Sequence, residues 1–287
     1  MKKLIVAVML CFVIVLTAAP FAHGQMRPEI FITPKKSTAQ VGETFTVNVN
    51  ISDAEGVFSW EIKVRFYPAI LVVSDYESGG FLEQAGSTLP MQFANKSDQG
   101  YVILGLTLSQ PGSANGNGTL AKITFKVLSR GYSPIKLYDT LLYDEENKEI
   151  PHTTSDGSFA LTAVTLVPEK GIAAFTIKGY GFAPNSIITM KWNNTLLTTI
   201  PEQVKSDLMG NFIAIATVPE QTTPGNYTIT LQDEEKTVET TFEVIDLQGP
   251  PGEQGPPGPG APMEYTWLAI ILSIIAIIVA IYSFKKS

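Results

Sequence analysis

Two acidic triplets and one histidine are the residues of this 287-residue chain whose types could do chemistry. Asp144-Glu145-Glu146 and Asp233-Glu234-Glu235 offer the carboxylate oxygens that calcium takes in groups of about six to eight. Both triplets stand where hairpin turns are expected, and solvated turn charge explains them better than a metal does. His152 is alone, His23 lies near the N-terminus, and the single cysteine is Cys11. Zinc sites need several His or Cys ligands, and none can be assembled from these. There is no Gly-x-Ser-x-Gly elbow, no phosphate-binding loop and no His-Glu-x-x-His. Carboxylate pairs for glycoside cleavage have no fixed spacing, so pattern alone does not exclude them, but nothing favours one. The expectation is a non-enzymatic chain without catalytic residues, cofactor or metal.

Charge narrows the partners. The formal net charge is −7. Setting aside Lys2, Lys3, Glu264, Lys285 and Lys286 leaves 16 basic against 26 acidic residues, a net of −10 for residues 25–262. Such a surface repels phosphate backbones, so no nucleic-acid partner is expected.

The two ends are apolar in different ways. Lys2-Lys3, an apolar run from Leu4 to Ala19 and Ala22-His23-Gly24 read as a secretory signal peptide over 1–24, cleaved before Gln25. From Tyr265 to Phe284 the chain has no ionisable group other than tyrosine, with Tyr265 and Trp267 at one edge and Tyr282 at the other. Twenty residues at about 1.5 Å each match the roughly 30 Å hydrocarbon core. The segment 263–284 is therefore expected to be a single transmembrane helix. Lys285 and Lys286 place the tail, 285–287, in the cytoplasm and the bulk of the chain outside the cell. Just before it, Gly recurs at positions 249, 252, 255 and 258 in a Pro-rich stretch. This collagen-like stalk, 247–262, reads as a stiff polyproline II spacer of about 50 Å, with trimerisation the alternative.

Between the ends the apolar period is two. Phe58, Trp60, Ile62, Val64 and Phe66 alternate with Ser59, Glu61, Lys63 and Arg65, and Ala121, Ile123, Phe125 and Val127 alternate with Lys122, Thr124 and Lys126. Each reads as a strand with one buried and one wet face. Turn clusters such as Ser113–Gly118 and Glu145–Lys148 are expected to separate strands. Many short strands at this spacing imply an all-β chain of sandwiches. A boundary near Thr162 divides residues 25–162 from 163–246, where six or seven further strands fit a second sandwich of immunoglobulin-like size.

The first of these regions resembles a cohesin module. The likeness is carried by Val41-Gly-Glu-Thr-Phe-Thr-Val-Asn-Val49, by Trp60-Glu-Ile-Lys-Val-Arg-Phe-Tyr-Pro68 with Leu71-Val-Val73, and by Asp156-Gly-Ser-Phe159. Its most specific part is Gly116-Asn-Gly-Thr-Leu-Ala-Lys-Ile-Thr-Phe-Lys-Val127. The resemblance covers about residues 27–162 and implies a nine-stranded jelly-roll sandwich. Residues 163–246 are similar, more faintly, to Ig-like repeats of bacterial and archaeal surface proteins, through Gly179–Ser186, Gly210-Asn-Phe212 and Pro224-Gly-Asn-Tyr-Thr228.

Cohesins bind dockerins through one sheet face, so the resemblance implies a dockerin-like protein partner. The matching strands would be Trp60–Phe66, Met91–Ala94 and Tyr101–Leu106, with Glu61, Lys63, Arg65, Tyr101 and Ile103 facing outward by alternation. Alternatives are carbohydrate binding to a polysaccharide, which needs a coplanar row of exposed rings, and a structural envelope or spacer role. Five sequons, at Asn50, Asn95, Asn117, Asn193 and Asn226, are candidate N-glycosylation sites if they face solvent.

Overall fold

In the computed structural model the described residues are 27–246 and 263–284, with helix side chains described from 267 to 283. The expected signal peptide, the collagen-like stalk and the cytoplasmic tail lie outside them. The described residues 27–245 belong to one compact unit, and the C-terminal helix belongs to another.

The period-two segments become strands. The first sandwich comprises β1 (Glu29–Thr33), β2 (Lys36–Ser37), β3 (Thr44–Val57), β4 (Ser59–Arg65), β5 (Leu71–Ser78), β6 (Thr88–Lys96), β7 (Tyr101–Leu108), β8 (Ala114–Val127), β9 (Gly131–Tyr143), β10 (Thr153–Ser155) and β11 (Gly157–Leu161). They form a five-stranded sheet, β10-β1-β3-β8-β5, and a six-stranded sheet, β2-β11-β9-β4-β7-β6. The short strands β2 and β10 join by parallel pairing to β11 and β1, which brings the total above the nine expected. Trp60, Ile62, Val64 and Phe66 from one sheet meet Val47, Val49, Ile123 and Phe125 from the other, all buried. Phe125 stacks on Phe45 and meets Phe66 edge-on at 5.1 Å. A side chain of that size contributes about 1.5–3 kcal/mol by burial alone.

One expected turn is absent. Ser113–Gly118 does not separate strands, because β8 begins at Ala114 and pairs with β3 through a run of bulges. The Asn115 and Asn117 side-chain carbonyls accept hydrogen bonds from the backbone N–H groups of Gly56 and Asp53, at 2.7 and 2.8 Å. Turn-forming side chains here satisfy donors that the bulges remove from the ladder.

The second sandwich comprises β12 (Ala163–Val167), β13 (Lys170–Gly171), β14 (Ala174–Tyr180), β15 (Ile187–Trp192), β16 (Thr195–Leu196), β17 (Thr199–Ile200), β18 (Val204–Lys205), β19 (Phe212–Thr217), β20 (Gly225–Gln232) and β21 (Thr237–Val244). Four of these are two-residue pieces, so the strands outnumber the six or seven expected. One sheet runs β12-β14-β19-β17 and the other β13-β21-β20-β15-β16, with β18 also on β15. Phe175 stacks on Phe242 at 4.3 Å, and Trp192 packs beside both as a buried core residue.

The two sandwiches are fastened together. The Tyr132 N–H donates to the Met209 carbonyl at 2.7 Å, and Met209 packs against the first core. The Lys236 ammonium donates to Thr162 Oγ1 at 2.8 Å and to the Gly181 carbonyl at 2.6 Å. Gly181 has φ +67, and a Cβ there would press on the Leu161 carbonyl, so the junction requires glycine at this point.

Helix α1 (Met263–Phe284) has every described side chain exposed. Among the described residues, no helix is long and apolar enough to cross a membrane.

Candidate binding face

The structure brings the five expected face residues onto the outer surface of the six-stranded sheet. Strand β4 lies between β9 and β7, and its register sets three rows. Arg65 is opposite Tyr101 and Lys136, Lys63 is opposite Ile103 and Tyr138, and Glu61 is opposite Gly105 and Leu141. Strand β6 extends these rows with Lys96, Ala94 and Gln92. Four strands spaced about 4.8 Å apart make a surface roughly 15 Å wide. Tyr101 and Ile103, expected to be exposed, are half-buried among these neighbours, as are Glu61 and Lys63, while Arg65 is exposed.

Electrostatics order the centre of the face. The Lys63 ammonium is paired with the Asp139 carboxylate and lies 3.3 Å from Glu61. Asp139 stands at a bulge between β4 and β9 and has φ +49, a left-handed conformation that non-glycine residues rarely adopt. Its hydrogen bond, with help from Glu61 and against the effect of burial, holds the Lys63 ammonium above its usual pKa range. The Arg65 guanidinium lies over the Tyr138 ring, 4.5 Å from its centroid. The result is a flat surface of paired charges and one covered ring.

Sequence reasoning missed the apolar rim. Leu89, Met91 and Phe93 on β6 are 55%, 52% and 43% exposed. Their alternation with Pro90 and Gln92 was legible as a strand, but gave no sign that the strand is an edge. By register Phe93 points inward with Leu104, yet at the sheet edge its ring stays partly open and stacks on Tyr76 of the other sheet at 5.7 Å. Pro90 and the bulge after it spoil this edge for pairing with another strand, so the rim offers side-chain contact and not sheet extension.

The other candidate groups serve the fold. Asp144 Oδ1 accepts from the N–H groups of Glu146 and Lys148 and closes its turn. The expectation of solvated charge fails at Asp233, which is buried, accepts from the N–H groups of Glu235 and Lys236, and reaches across to the Ala183 N–H at 2.7 Å. His152 has its ring nitrogens against the Ile150 carbonyl and the Thr140 hydroxyl. A carbonyl only accepts, so Nδ1 carries a proton in its contact with Ile150. Among the described residues, no group of three or more His, Cys, Asp or Glu side chains is placed to hold a metal ion.

The sequons divide by geometry. The half-buried Asn50 donates through Nδ2 to Thr33 Oγ1 at 2.7 Å and accepts from Thr119 Oγ1, so it does not face solvent freely as the expectation required. Asn95 is exposed, but its Nδ2 donates to the Val73 carbonyl. Asn117, Asn193 and Asn226 are exposed. The first two use Oδ1 to accept backbone N–H bonds from Asp53 and Thr228.

Comparison with known proteins gives a family for this part of the chain. The model of the cohesin domain matches residues 30–161. Among solved structures, a non-cellulosomal cohesin from the hyperthermophilic archaeon Archaeoglobus fulgidus is 21% identical over 46% of this chain and 89% of its own, with TM-score 0.38. The third cohesin ScaC of Acetivibrio cellulolyticus, solved in complex with the ScaB dockerin, is 19% identical over 47% and 99%, with TM-score 0.40. A type II cohesin domain from the cellulosome of the same organism is 20% identical over 47% and 96%, with TM-score 0.39. No curated protein matches the chain. Residues 30–161 are a cohesin domain.

Proposed function

We propose that the chain is a non-catalytic cell-surface protein that recognises a dockerin-type protein partner through the outer face of β9-β4-β7-β6. The observation that carries this reading is the face itself, in a domain of the cohesin family: Lys63 held between Glu61 and Asp139, Arg65 laid on Tyr138, and an apolar rim at Leu89 and Met91. Pre-paired charges fix the orientation of a partner, and the rim supplies apolar area to bury. On this reading the second sandwich is Ig-like, and the Pro/Gly-rich sequence 247–262 is a spacer. The single-pass anchor rests on sequence. Tyr265, Thr266 and Phe284 extend the uncharged described stretch to about 30 Å, and its exposed Leu, Ile and Val side chains need an apolar surrounding.

Titration calorimetry of the full-length chain against a panel of dockerins tests the recognition. The expected result is micromolar or tighter binding to at least one dockerin, weakened at least tenfold by Ile103→Asp or Lys63→Glu. Failure of every dockerin to bind would sink the reading. Carbonate extraction of membranes tests the anchor separately, and release of the full-length chain would contradict it.

A further inference from the structure

Charge on the outer face of the six-stranded sheet is segregated by row. Lys136 on β9, Arg65 on β4, Tyr101 on β7 and Lys96 on β6 stand opposite one another across four adjacent strands. At about 4.8 Å per strand step the row is roughly 15 Å long. Lys136, Arg65 and Lys96 are exposed, and Tyr101 is half-buried. The next row carries one cation, Lys63, which Asp139 and Glu61 already hold. The row beyond that has Glu61 with Leu141, Gly105 and Gln92, and no cation. Unpaired positive charge is thus gathered in one line, in a stretch, 25–262, with 26 acidic against 16 basic residues.

The fold does not neutralise this line. Among the described residues the ion pairs are made by Lys36, Lys63 and Lys122, and none by Arg65, Lys96 or Lys136. Asp156, just before β11, uses Oδ1 to accept the Leu137 N–H at 2.9 Å. Arg65 and Lys136 face each other directly across the β4–β9 pair, and like charges in that position destabilise a sheet. Stacking on the Tyr138 ring, 4.5 Å from guanidinium to centroid, restrains Arg65 without neutralising it.

A carboxylate placed between Arg65 and Lys136 replaces that repulsion with two attractions, and a guanidinium can hold it by two parallel hydrogen bonds. The rest of the face decides what carries the carboxylate. A polyanionic glycan needs cations repeated along its length, and here they stop after one row. Beyond it lie a paired lysine, the half-buried Ile103 and the exposed Leu89 and Met91. One charged edge beside apolar area is the pattern of a protein interface. We infer that Lys136, Arg65, Tyr101 and Lys96 form a docking strip for an acidic segment of a protein partner. This strip rests on the protein-recognition reading of the face, and it adds the sign of the charge that the partner presents.

Fluorescence anisotropy on the full-length chain in a neutral detergent tests the strip. The probe is a labelled, end-capped hexaglutamate peptide, with hexaglutamine and a galacturonate hexamer run beside it. The expected result is saturable binding of hexaglutamate at about 20 mM salt, lost at about 200 mM, with hexaglutamine inert. Lys136→Glu and Lys96→Glu should each weaken binding about three- to tenfold. Lys136→Glu sets opposite charges across from each other, so its melting temperature should stay at or above that of the parent. Absence of hexaglutamate binding at low salt overturns the inference, as does binding that neither reversal weakens. Tighter binding of the galacturonate hexamer than of hexaglutamate also overturns it, and assigns the strip to an acidic polysaccharide. The dockerin panel separates the strip from the wider reading. A dockerin weakened by Ile103→Asp but indifferent to both reversals keeps the face and overturns the strip. Hexaglutamate bound at the strip, with every dockerin unbound, sinks the dockerin reading and supports the strip.

Discussion

On the wet side of the first sandwich Lys63 sits between Glu61 and Asp139, whereas the corresponding side of β19 in the second carries bare Ile213 and Ile215. The register extends the second pattern, with Val167 opposite Thr176, Thr176 opposite Ile215 and Ile215 opposite Ile200. Both sandwiches bury aromatic cores of the same kind, so the difference lies in the finish of the surface and not in the stability of the lobe. Isoleucines on a sheet face give area without direction, while a cation fixed by two carboxylates gives direction at little cost in area. A face meant to discriminate partners needs the second kind of chemistry.

If the sandwiches form one cooperative body, core substitutions in either should act alike. Phe125→Ala and Phe175→Ala should each cost about 3–5 kcal/mol and shift one common calorimetric transition. Two separate transitions, with each variant moving only one, would break the comparison at its root. Next in size, Gly181→Ala should cost about 2 kcal/mol, from the positive φ and the pressure on the Leu161 carbonyl, and should loosen the junction while leaving each core packed. Hydrogen exchange would show this as faster exchange at the Tyr132 amide than in the core strands.

A smaller effect separates the lysines. Burial lowers the Lys236 pKa, against the pull of Asp233 and Glu235, so the unfolded chain binds more protons just below the ordinary lysine value of 10.5. Stability contributed at this site therefore rises as pH climbs through the lowered folded value towards 10.5. Lys63 is raised by Asp139, so its contribution is full below 10.5 and is lost as pH passes its folded value above that. Denaturant midpoints between pH 8 and 11 should show Lys236→Met flattening the rise and Asp139→Asn flattening the fall. Least of all, Ile215→Thr should change stability by no more than about 0.5 kcal/mol, which a thermal melt would check.

These contrasts also mark what the sequence made legible. The alternation from Phe58 to Phe66 fixed which side of β4 is wet, and hence that Glu61, Lys63 and Arg65 share a face, because a strand's period of two leaves no freedom. Strand order was not legible. Nothing local says that β6 is an edge, so the exposure of Leu89, Met91 and Phe93 was not legible. Asp233 read as a solvated turn residue because its partner, the Ala183 amide, is 50 residues away in sequence. The junction of the sandwiches was hidden for the same reason, since Tyr132 and Met209 meet only through tertiary packing. At Asn115 and Asn117 the residue types were read correctly as turn-formers, and they serve a bulged ladder instead.

Hydrogen–deuterium exchange of the full-length chain, with and without a bound dockerin, tests the central claim most directly. The expected result is protection gathered on peptides covering 59–65, 88–108 and 136–143, with β1, β3 and β8 and the second sandwich unchanged. Protection centred on β3 and β8, or on the isoleucine face of β19, would contradict it.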